Sequence, residues 1–250
     1  MSSQSKLKWV SAAATHVGHV RQVNEDAYLD RGDLSLWAVA DGMGGHHAGD
    51  VASNKIVDTL NEIEPSTTEI PLSTLVDTIE DKIIQANNEL VKLANEHNDN
   101  RTIGSTVVTL IAANSHCALL WAGDSRAYRC RNNETVQLTR DHSQVEEMVQ
   151  QGLLLREEAE SHPASNVITR AVGASEKIFI DVDIVETKPG DTYLLCSDGL
   201  NKHVSDSEIN QFLQNPDIDE IPGKLVETTL SRGAIDNVTV VIARALPDDN

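Results

Sequence analysis

The order of strand-like and helix-like stretches is the feature of this chain that most limits its fold. Apolar, β-branched or alternating stretches predict strands at 9–18, 26–30, 34–40, 105–113, 116–123, 125–131, 177–186, 191–197 and 237–245. Amphipathic stretches predict helices at 48–62, 72–94, 205–214 and 219–231. Because the helices come in pairs and most strands follow each other closely, a doubly wound parallel sheet is disfavoured. The order predicts an α+β fold, a four-layer α-β-β-α sandwich of two mainly antiparallel sheets flanked by helix pairs.

The length of the chain suits one large domain or two small ones, and we interpret residues 1–250 as a single domain. One segment departs from the pattern. Residues 142–170 are polar and helix-prone, and they interrupt the series of strands. We expect this segment to be an insertion that lies over the surface.

The net charge of the chain limits the kinds of molecule that it can bind. Acidic residues outnumber basic ones by enough to give a net charge of −19. Nucleic acid and anionic membrane surfaces are therefore unsuitable partners, since both require clustered Lys and Arg. No apolar run approaches the length of a membrane span, and the N-terminus lacks the apolar core of a secretory signal. We expect a cytoplasmic protein, with a monomer as the default state.

Aspartates stand at the ends of the predicted strands. They are Asp26, Asp41, Asp124, Asp198 and Asp236. One such aspartate is an ordinary turn residue, but five that converge would repel one another and would require cations. Oxygen ligands without His or Cys select Mg²⁺ or Mn²⁺ over zinc. The glycine-rich loop at 41–50 strengthens the prediction of a ligand site, because glycines let the backbone approach an ion or a phosphate.

Arg21 lies five residues before Asp26. Beside a cluster of carboxylates and metal ions, its planar guanidinium suits the oxygens of a phosphate group. A surface ion pair with Glu25 or Asp26 is the alternative. Ser105 and Thr106 are interpreted as packing residues at the start of a strand, or as supports of the site, with packing preferred.

Taken together, these residues resemble a known family. The motifs occur in this order: RQVNEDAY, VADGMGGHHAG, GSTVV, AGDSRAYR, LTRDHS, NVITRAVG, LLCSDGL and DNVTVV. The set is similar to the metal-dependent serine/threonine protein phosphatases of the type 2C class, and the DGMGG motif is similar to that of the bacterial branch. The resemblance covers about residues 9–245. It implies hydrolysis of phosphoserine and phosphothreonine by a water activated between two metal ions, without a covalent intermediate.

The resemblance also implies roles for individual residues. Asp41 would bridge two Mn²⁺ or Mg²⁺ ions, and the carbonyl of Gly42 would bind one of them. Asp198 and Asp236 would ligate the other ion, and Asp26 would hold the cluster. The remaining implied roles are a phosphate contact for Arg21, a third ion at Asp124 and Asp198, and a mobile flap at 142–170. Phosphoprotein substrates, and by analogy a cognate serine/threonine kinase, are the implied partners.

The proton donor to the leaving group stays open. His46 and His47, on the 41–50 loop, are candidates. Animal members of the family place a histidine directly after Asp-Gly, where this chain has Met43. Water on a metal ion is the alternative donor.

Three other functions compete with the protein phosphatase. The chain could hydrolyse a small phosphoester, although only 3% of its residues are aromatic and could stack on a base. It could be a non-catalytic type 2C-like binding protein, although such proteins typically lack some of the core acids. A calcium-binding structural protein is a third alternative, but the sequence contains no D-x-D-x-D-G loop.

Overall fold

The computed structural model describes residues 7–44, 48–96, 103–159 and 161–248. It contains two sheets in which every pair of neighbouring strands is antiparallel. The predicted α+β class is confirmed. No helix in the described part of the chain is both long enough and apolar enough to cross a membrane.

The first sheet joins the two ends of the described chain. Its strands, in spatial order, are β1 (Leu7–His16), β11 (Val238–Pro247), β10 (Thr192–Cys196), β7 (Arg126–Arg131) and β8 (Glu134–Gln137). The second sheet is built from the middle of the chain. Its main path is β2 (Asp26–Arg31), β3 (Leu36–Met43), β5 (Val107–Ala113), β6 (His116–Ala122) and β9 (Asp181–Glu186), and the short β4 (Gly104–Ser105) pairs with the end of β3.

Three apolar clusters show that the molecule has four layers. The helices are α1 (Ala48–Asn61), α2 (Leu72–Glu96), α3 (Gln144–Gln150), α4 (Asp198–Asn201), α5 (Asp206–Leu213) and α6 (Glu220–Ser231). One cluster joins α1 and α2 to the second sheet, and another joins α4, α5 and α6 to the first sheet. The third cluster, which includes Trp37, Leu119 and Tyr193, fills the space between the sheets. The predicted α-β-β-α order is therefore confirmed.

Several predicted strands have different bounds in the structure, and for two of them the partner strands give the reason. β3 continues past residue 40 to Met43, because β2 and β4 supply backbone partners for its last residues. The strand predicted over 177–186 begins only at Asp181, since its partner β6 ends at Ala122. Residues 177–180 instead lie beside the first apolar cluster, where Ile178 and Ile180 are partly buried.

Two short elements were not predicted. Strand β8 follows Asn132 and Asn133, whose positive φ angles of 52° and 66° form the tight turn of a hairpin with β7. Helix α4 begins at Asp198, for which the sequence predicted only a position at the end of a strand. Among the described residues of 142–170, the structure contains α3 and one 3₁₀ turn at Arg156–Glu158. Ser143 pairs with Ile168, so the two ends of this segment lie side by side.

Candidate metal centre

All five aspartates named from the sequence belong to one end of the sandwich. Asp26 opens β2 and pairs directly with Asp41 near the end of β3. β6 runs in the same direction as β3, and Asp124 follows its last residue closely. In the other sheet Asp198 follows β10, and Asp236 precedes its antiparallel neighbour β11. The two sheets therefore bring together acids that are far apart in the sequence.

Hydrogen bonds from Ser105 at the end of β4 and from Thr106 just before β5 hold the backbone of Asp41. Its N–H donates to Thr106 Oγ1 over 3.0 Å. Its carbonyl oxygen accepts from Ser105 Oγ at 2.9 Å and from the Thr106 N–H at 2.9 Å. Ser105 and Thr106 are fully buried, as packing residues would be, but their hydroxyl groups also fix the position of Asp41. Of the two interpretations left open by the sequence, support of the site therefore applies as well as packing.

Two glycines allow the close backbone approaches that the site requires. A Cβ atom on Gly42 would lie 2.0 Å from the carbonyl oxygen of Gly49, at the start of α1. A Cβ atom on Gly199 would lie 1.9 Å from the carbonyl oxygen of Asn237. Any side chain at these two positions would therefore push α1 away from Asp41, or Asp198 away from Asp236.

Asn237 ties the loop before β2 to the start of β11. Its Nδ2 donates to the carbonyl oxygens of Val17 and Val23, at 2.9 and 3.0 Å. Its Oδ1 accepts from the Glu25 N–H at 2.9 Å. The residues on either side of these contacts include Asp26 and Asp236, so this one amide fixes the distance between acids of different sheets.

Mutual repulsion and removal from water raise the pKa values of four of the acids. Burial is the largest cause in each case. It raises the pKa of Asp26 to about 7 and that of Asp124 to about 7, and Asp198 adds to both. The pKa of Asp41 lies well above its usual range, with further contributions from Asp26 and Asp198. The pKa of Asp198 is raised by burial and by Asp236, although Lys202 opposes the shift.

Two cations lie against the cluster. The guanidinium of Arg21 contacts both oxygens of Asp236, with Nε to Oδ1 at 3.0 Å and Nη2 to Oδ2 at 3.2 Å. Lys202 Nζ lies 2.5 Å from Asp198 Oδ2 and 3.4 Å from Asp236 Oδ2. Burial opposes the charge of Lys202, but the neighbouring aspartates raise its pKa overall. Two positive charges leave the five acids only partly neutralised.

Two carboxylate oxygens without hydrogen-bond partners in the described part of the chain indicate that the site suits divalent cations. Asp26 Oδ1 and Asp198 Oδ1 are buried and have no hydrogen-bond partner among the described residues. A buried carboxylate oxygen without a donor is costly unless a cation satisfies it. The donor set consists of oxygens, which suits Mg²⁺ and Mn²⁺.

The side chains alone do not complete a coordination sphere. Within the part of the chain that the structure describes, no three His, Cys, Asp or Glu side chains form a group able to hold one ion. Mg²⁺ in proteins usually keeps several waters and takes only one or two carboxylates. The arrangement therefore fits ions that also use backbone carbonyl oxygen and water.

A cleft of about 830 Å³ opens above the acids. Asp41, Asp124, Asp198 and Asp236 line it together with Arg21. Residues from 142–170 form another wall, including Glu146 and Arg156, which pair with each other. A substrate in this cleft would thus contact the acids on one side and the 142–170 segment on the other.

The structure brings together most of the predicted site residues. They are Arg21, Asp26, Asp41, Gly42, Asp124, Asp198 and Asp236. His46, the candidate proton donor, lies outside the described residues, as does His47. Sequence reasoning missed Lys202 and Asn237. A signal existed for both, since Lys202 is one helical turn after Asp198 and Asn237 follows Asp236 directly.

Known proteins are similar to this chain in sequence and in fold. The model of the protein phosphatase 2C family matches residues 15–232. The serine/threonine phosphatase Stp of Listeria monocytogenes is 36% identical over 233 residues, which cover 91% of this chain and 92% of that protein.

Solved structures agree with the family match. PppA of Pseudomonas aeruginosa, described as a key regulatory component of T6SS, superposes with a TM-score of 0.89 at 41% identity, covering 97% of this chain and 100% of that chain. The catalytic domain of the serine/threonine protein phosphatase PstP, solved with two manganese ions, gives a TM-score of 0.85 at 34% identity, covering 96% of this chain and 99% of that one. With the family model matching most of its length, this chain belongs to the protein phosphatase 2C family.

Proposed function

We propose that this protein is a serine/threonine protein phosphatase that uses divalent metal ions and forms no covalent intermediate. The observation that carries the proposal is the convergence of five aspartates from two sheets, four of which line one cleft, with two buried oxygens of the set unpartnered among the described residues. The relatives support it, because Stp and PstP are named as serine/threonine phosphatases and PstP binds two manganese ions.

The family resemblance assigns the ligands, and the positions of the acids are compatible with it. Asp41 and the carbonyl of Gly42 would help to hold the core ions. Asp198 and Asp236 would hold one of them, while Asp26 would stabilise the pair from behind. When bound, two Mn²⁺ or Mg²⁺ ions lower the pKa of water and neutralise the charge of a phosphate group. A third, weaker ion would take Asp124 and Asp198.

Arg21 would orient the phosphate group of the substrate. Its side chain is 51% exposed at the edge of the cleft, and its planar fork contacts Asp236 through two nitrogens. The same fork geometry matches two phosphate oxygens, so Arg21 can align the phosphorus with an attacking water. Lys202 contacts both Asp198 and Asp236, and its positive charge would offset part of the repulsion between them.

The cysteines are unsuited to act as nucleophiles. Cys117, Cys130 and Cys196 are buried free thiols. Burial raises the pKa of Cys117 and that of Cys196 to about 12, so neither forms a thiolate at neutral pH. This favours direct attack by water over a phosphocysteine intermediate.

The alternatives receive less support. No aromatic ring of Phe, Trp or Tyr lines the cleft among the described residues, so a nucleotide base would find no stacking partner there. A non-catalytic binding protein would not need to keep all the acids. The cytoplasmic location, the monomeric state, a cognate kinase, a single domain over 1–250 and a mobile flap at 142–170 stay predictions.

Replacing Asp198 by Asn should abolish turnover while the fold survives. The substitution removes the charge that holds one ion, and a loss of roughly 10³-fold corresponds to about 4 kcal/mol of transition-state stabilisation. Hydrolysis of a phosphothreonine peptide with Mn²⁺ measures the effect. Asp77→Asn, on the exposed face of α2, is the matched control and should keep normal activity. A wild-type rate for Asp198→Asn would remove Asp198 from the ligands.

Replacing Arg21 by Ala should mainly weaken binding of the phosphate. We expect KM for the phosphopeptide to rise roughly tenfold, or about 1.4 kcal/mol, with a smaller change in kcat. Arg31→Ala is the control, because that guanidinium pairs with Asp33 outside the cleft. Unchanged KM and kcat in Arg21→Ala would exclude the proposed contact.

Replacing Asp124 by Ala should remove only the weak third ion. Equilibrium dialysis with Mn²⁺ should show one weakly bound ion fewer per chain, while the tightly bound pair stays. Loss of the tight pair in this variant would show that Asp124 belongs to the core ligands instead.

Replacing Asp26 by Asn should stabilise the metal-free protein, and more so at higher pH. In the folded state the pKa of Asp26 is about 7, against 3.8 for an ordinary aspartate, so the folded protein holds the proton more tightly. Ionisation therefore costs stability, starting above about pH 4 and reaching its full value above pH 7. Asn keeps an oxygen for the hydroxyl donors and carries no charge.

The measurement is the free energy of unfolding in EDTA, from pH 5 to pH 8. The advantage of Asp26→Asn over wild type should grow to the order of a few kcal/mol, since each pKa unit corresponds to about 1.4 kcal/mol. Asp77→Asn should show no such trend. An advantage that stays constant or shrinks as the pH rises would contradict the raised pKa.

A further inference from the structure

Among the described residues, the side chain of Asp26 is hydrogen-bonded through one oxygen only. Its side chain is buried, with 7% of the residue exposed. Its Oδ2 accepts two hydrogen bonds of 2.7 Å, from Ser197 Oγ and from Thr239 Oγ1. Its Oδ1, equally buried, has no partner among the described residues. Both protein donors therefore meet the same oxygen and leave the other one open.

When Asp26 is ionised, as it must be to bind a metal ion, the hydrogen atoms in this network can point in only one direction. An ionised carboxylate only accepts, so Thr239 must donate its single hydroxyl hydrogen to Asp26. The contact of 2.7 Å between Thr239 Oγ1 and Thr15 Oγ1 must then be donated by Thr15. Thr15 in turn accepts from Asn24 Nδ2 at 2.8 Å. A chain of donors thus runs from Asn24 through two threonines to Asp26.

Ser197 is fixed in the same way. Its Oγ accepts from the backbone N–H of Thr239 at 3.0 Å, and its own hydrogen goes to Asp26. Ser197 follows β10, Thr239 lies in β11 and Asp26 opens β2. The network therefore joins the first sheet to the second at the position of the acid cluster.

The hydrogen-bond donors to Asp26 are neutral, whereas those to the neighbouring Asp236 include two cations. Asp236 is held by the cations Arg21 and Lys202, which cancel much of its charge. Hydroxyl groups orient a carboxylate but leave its negative charge available to a metal ion. Outer partners of this kind typically alter metal affinity by 10–100-fold when removed.

We propose that Thr239 and Ser197 are positioning residues that set the affinity of the core metal ions by fixing Asp26 with Oδ1 free. This inference rests on the proposed function, because it assumes that the aspartates bind metal. Thr239 is the better residue to test. Removing the Ser197 hydroxyl would also leave the buried N–H of Thr239 without an acceptor, and would mix two effects.

The test is a calorimetric titration of the metal-free protein with Mn²⁺ alone. Thr239→Val removes the hydroxyl group at nearly constant shape, and it should weaken Mn²⁺ binding at least tenfold. Thr239→Ser keeps the hydroxyl group, so its affinity should stay within about threefold of wild type. Thr15→Val keeps the bond between Thr239 and Asp26, and its effect should be smaller than that of Thr239→Val.

Thr109→Val is the matched control. Thr109 is a buried strand threonine whose hydroxyl donates to the carbonyl of Leu120 at 3.2 Å, apart from the acids. Its variant should bind Mn²⁺ like the wild type. The rise in melting temperature on adding Mn²⁺ gives a second reading that needs no catalysis, and it should be smallest for Thr239→Val.

Three results would overturn the inference. They are wild-type affinity in a folded Thr239→Val, equal losses in Thr239→Val and Thr239→Ser, and an equal loss in the Thr109 control. In each of these cases a wild type that still binds Mn²⁺ leaves the proposed function standing. A wild type that binds no Mn²⁺ overturns the proposed function and this inference together.

Discussion

Repulsion among carboxylates at one end of a β-sandwich is the constraint on which the rest of this structure depends. Asp26, Asp41, Asp124 and Asp198 have raised pKa values because burial and their neighbours both oppose ionisation. No fold would keep such a cluster for stability alone, since each unpaired charge costs free energy. The packing elsewhere must supply that free energy, and it does so through the three apolar clusters between and outside the sheets.

The repulsion between the buried carboxylates favours the binding of cations. Buried oxygens that lack hydrogen-bond donors gain most from a divalent cation, because the cation replaces both the missing donor and the missing opposite charge. The surrounding residues preserve this property. Ser105 and Thr106 hold the backbone of Asp41, and Ser197 and Thr239 hold one oxygen of Asp26, all through neutral groups. These neutral groups orient the two aspartates and leave their negative charge available to a metal ion.

The wall formed by 142–170 gives the cleft a different character on its other side. Here Glu146 pairs with Arg156, and beside this wall Arg126 of β7 pairs with Asp141. Paired charges add little net field, so the strongest negative potential in the cleft remains at the aspartates. A phosphate group is attracted only once cations occupy that site. Metal binding and substrate binding are in this way linked by electrostatics.

The sequence by itself determined the α+β class, the four layers and the identity of the five aspartates, because local periodicity and residue type carry that information. It did not supply the contact of Lys202 with Asp236 or the contact of Asn237 with Glu25, because these partners are distant in the sequence, or the end of β3, which depends on the partner strands β2 and β4. Only the tertiary structure decided which oxygen of Asp26 is open and which acids Arg21 and Lys202 contact. Such distances arise when two sheets pack against each other, and no local pattern records them.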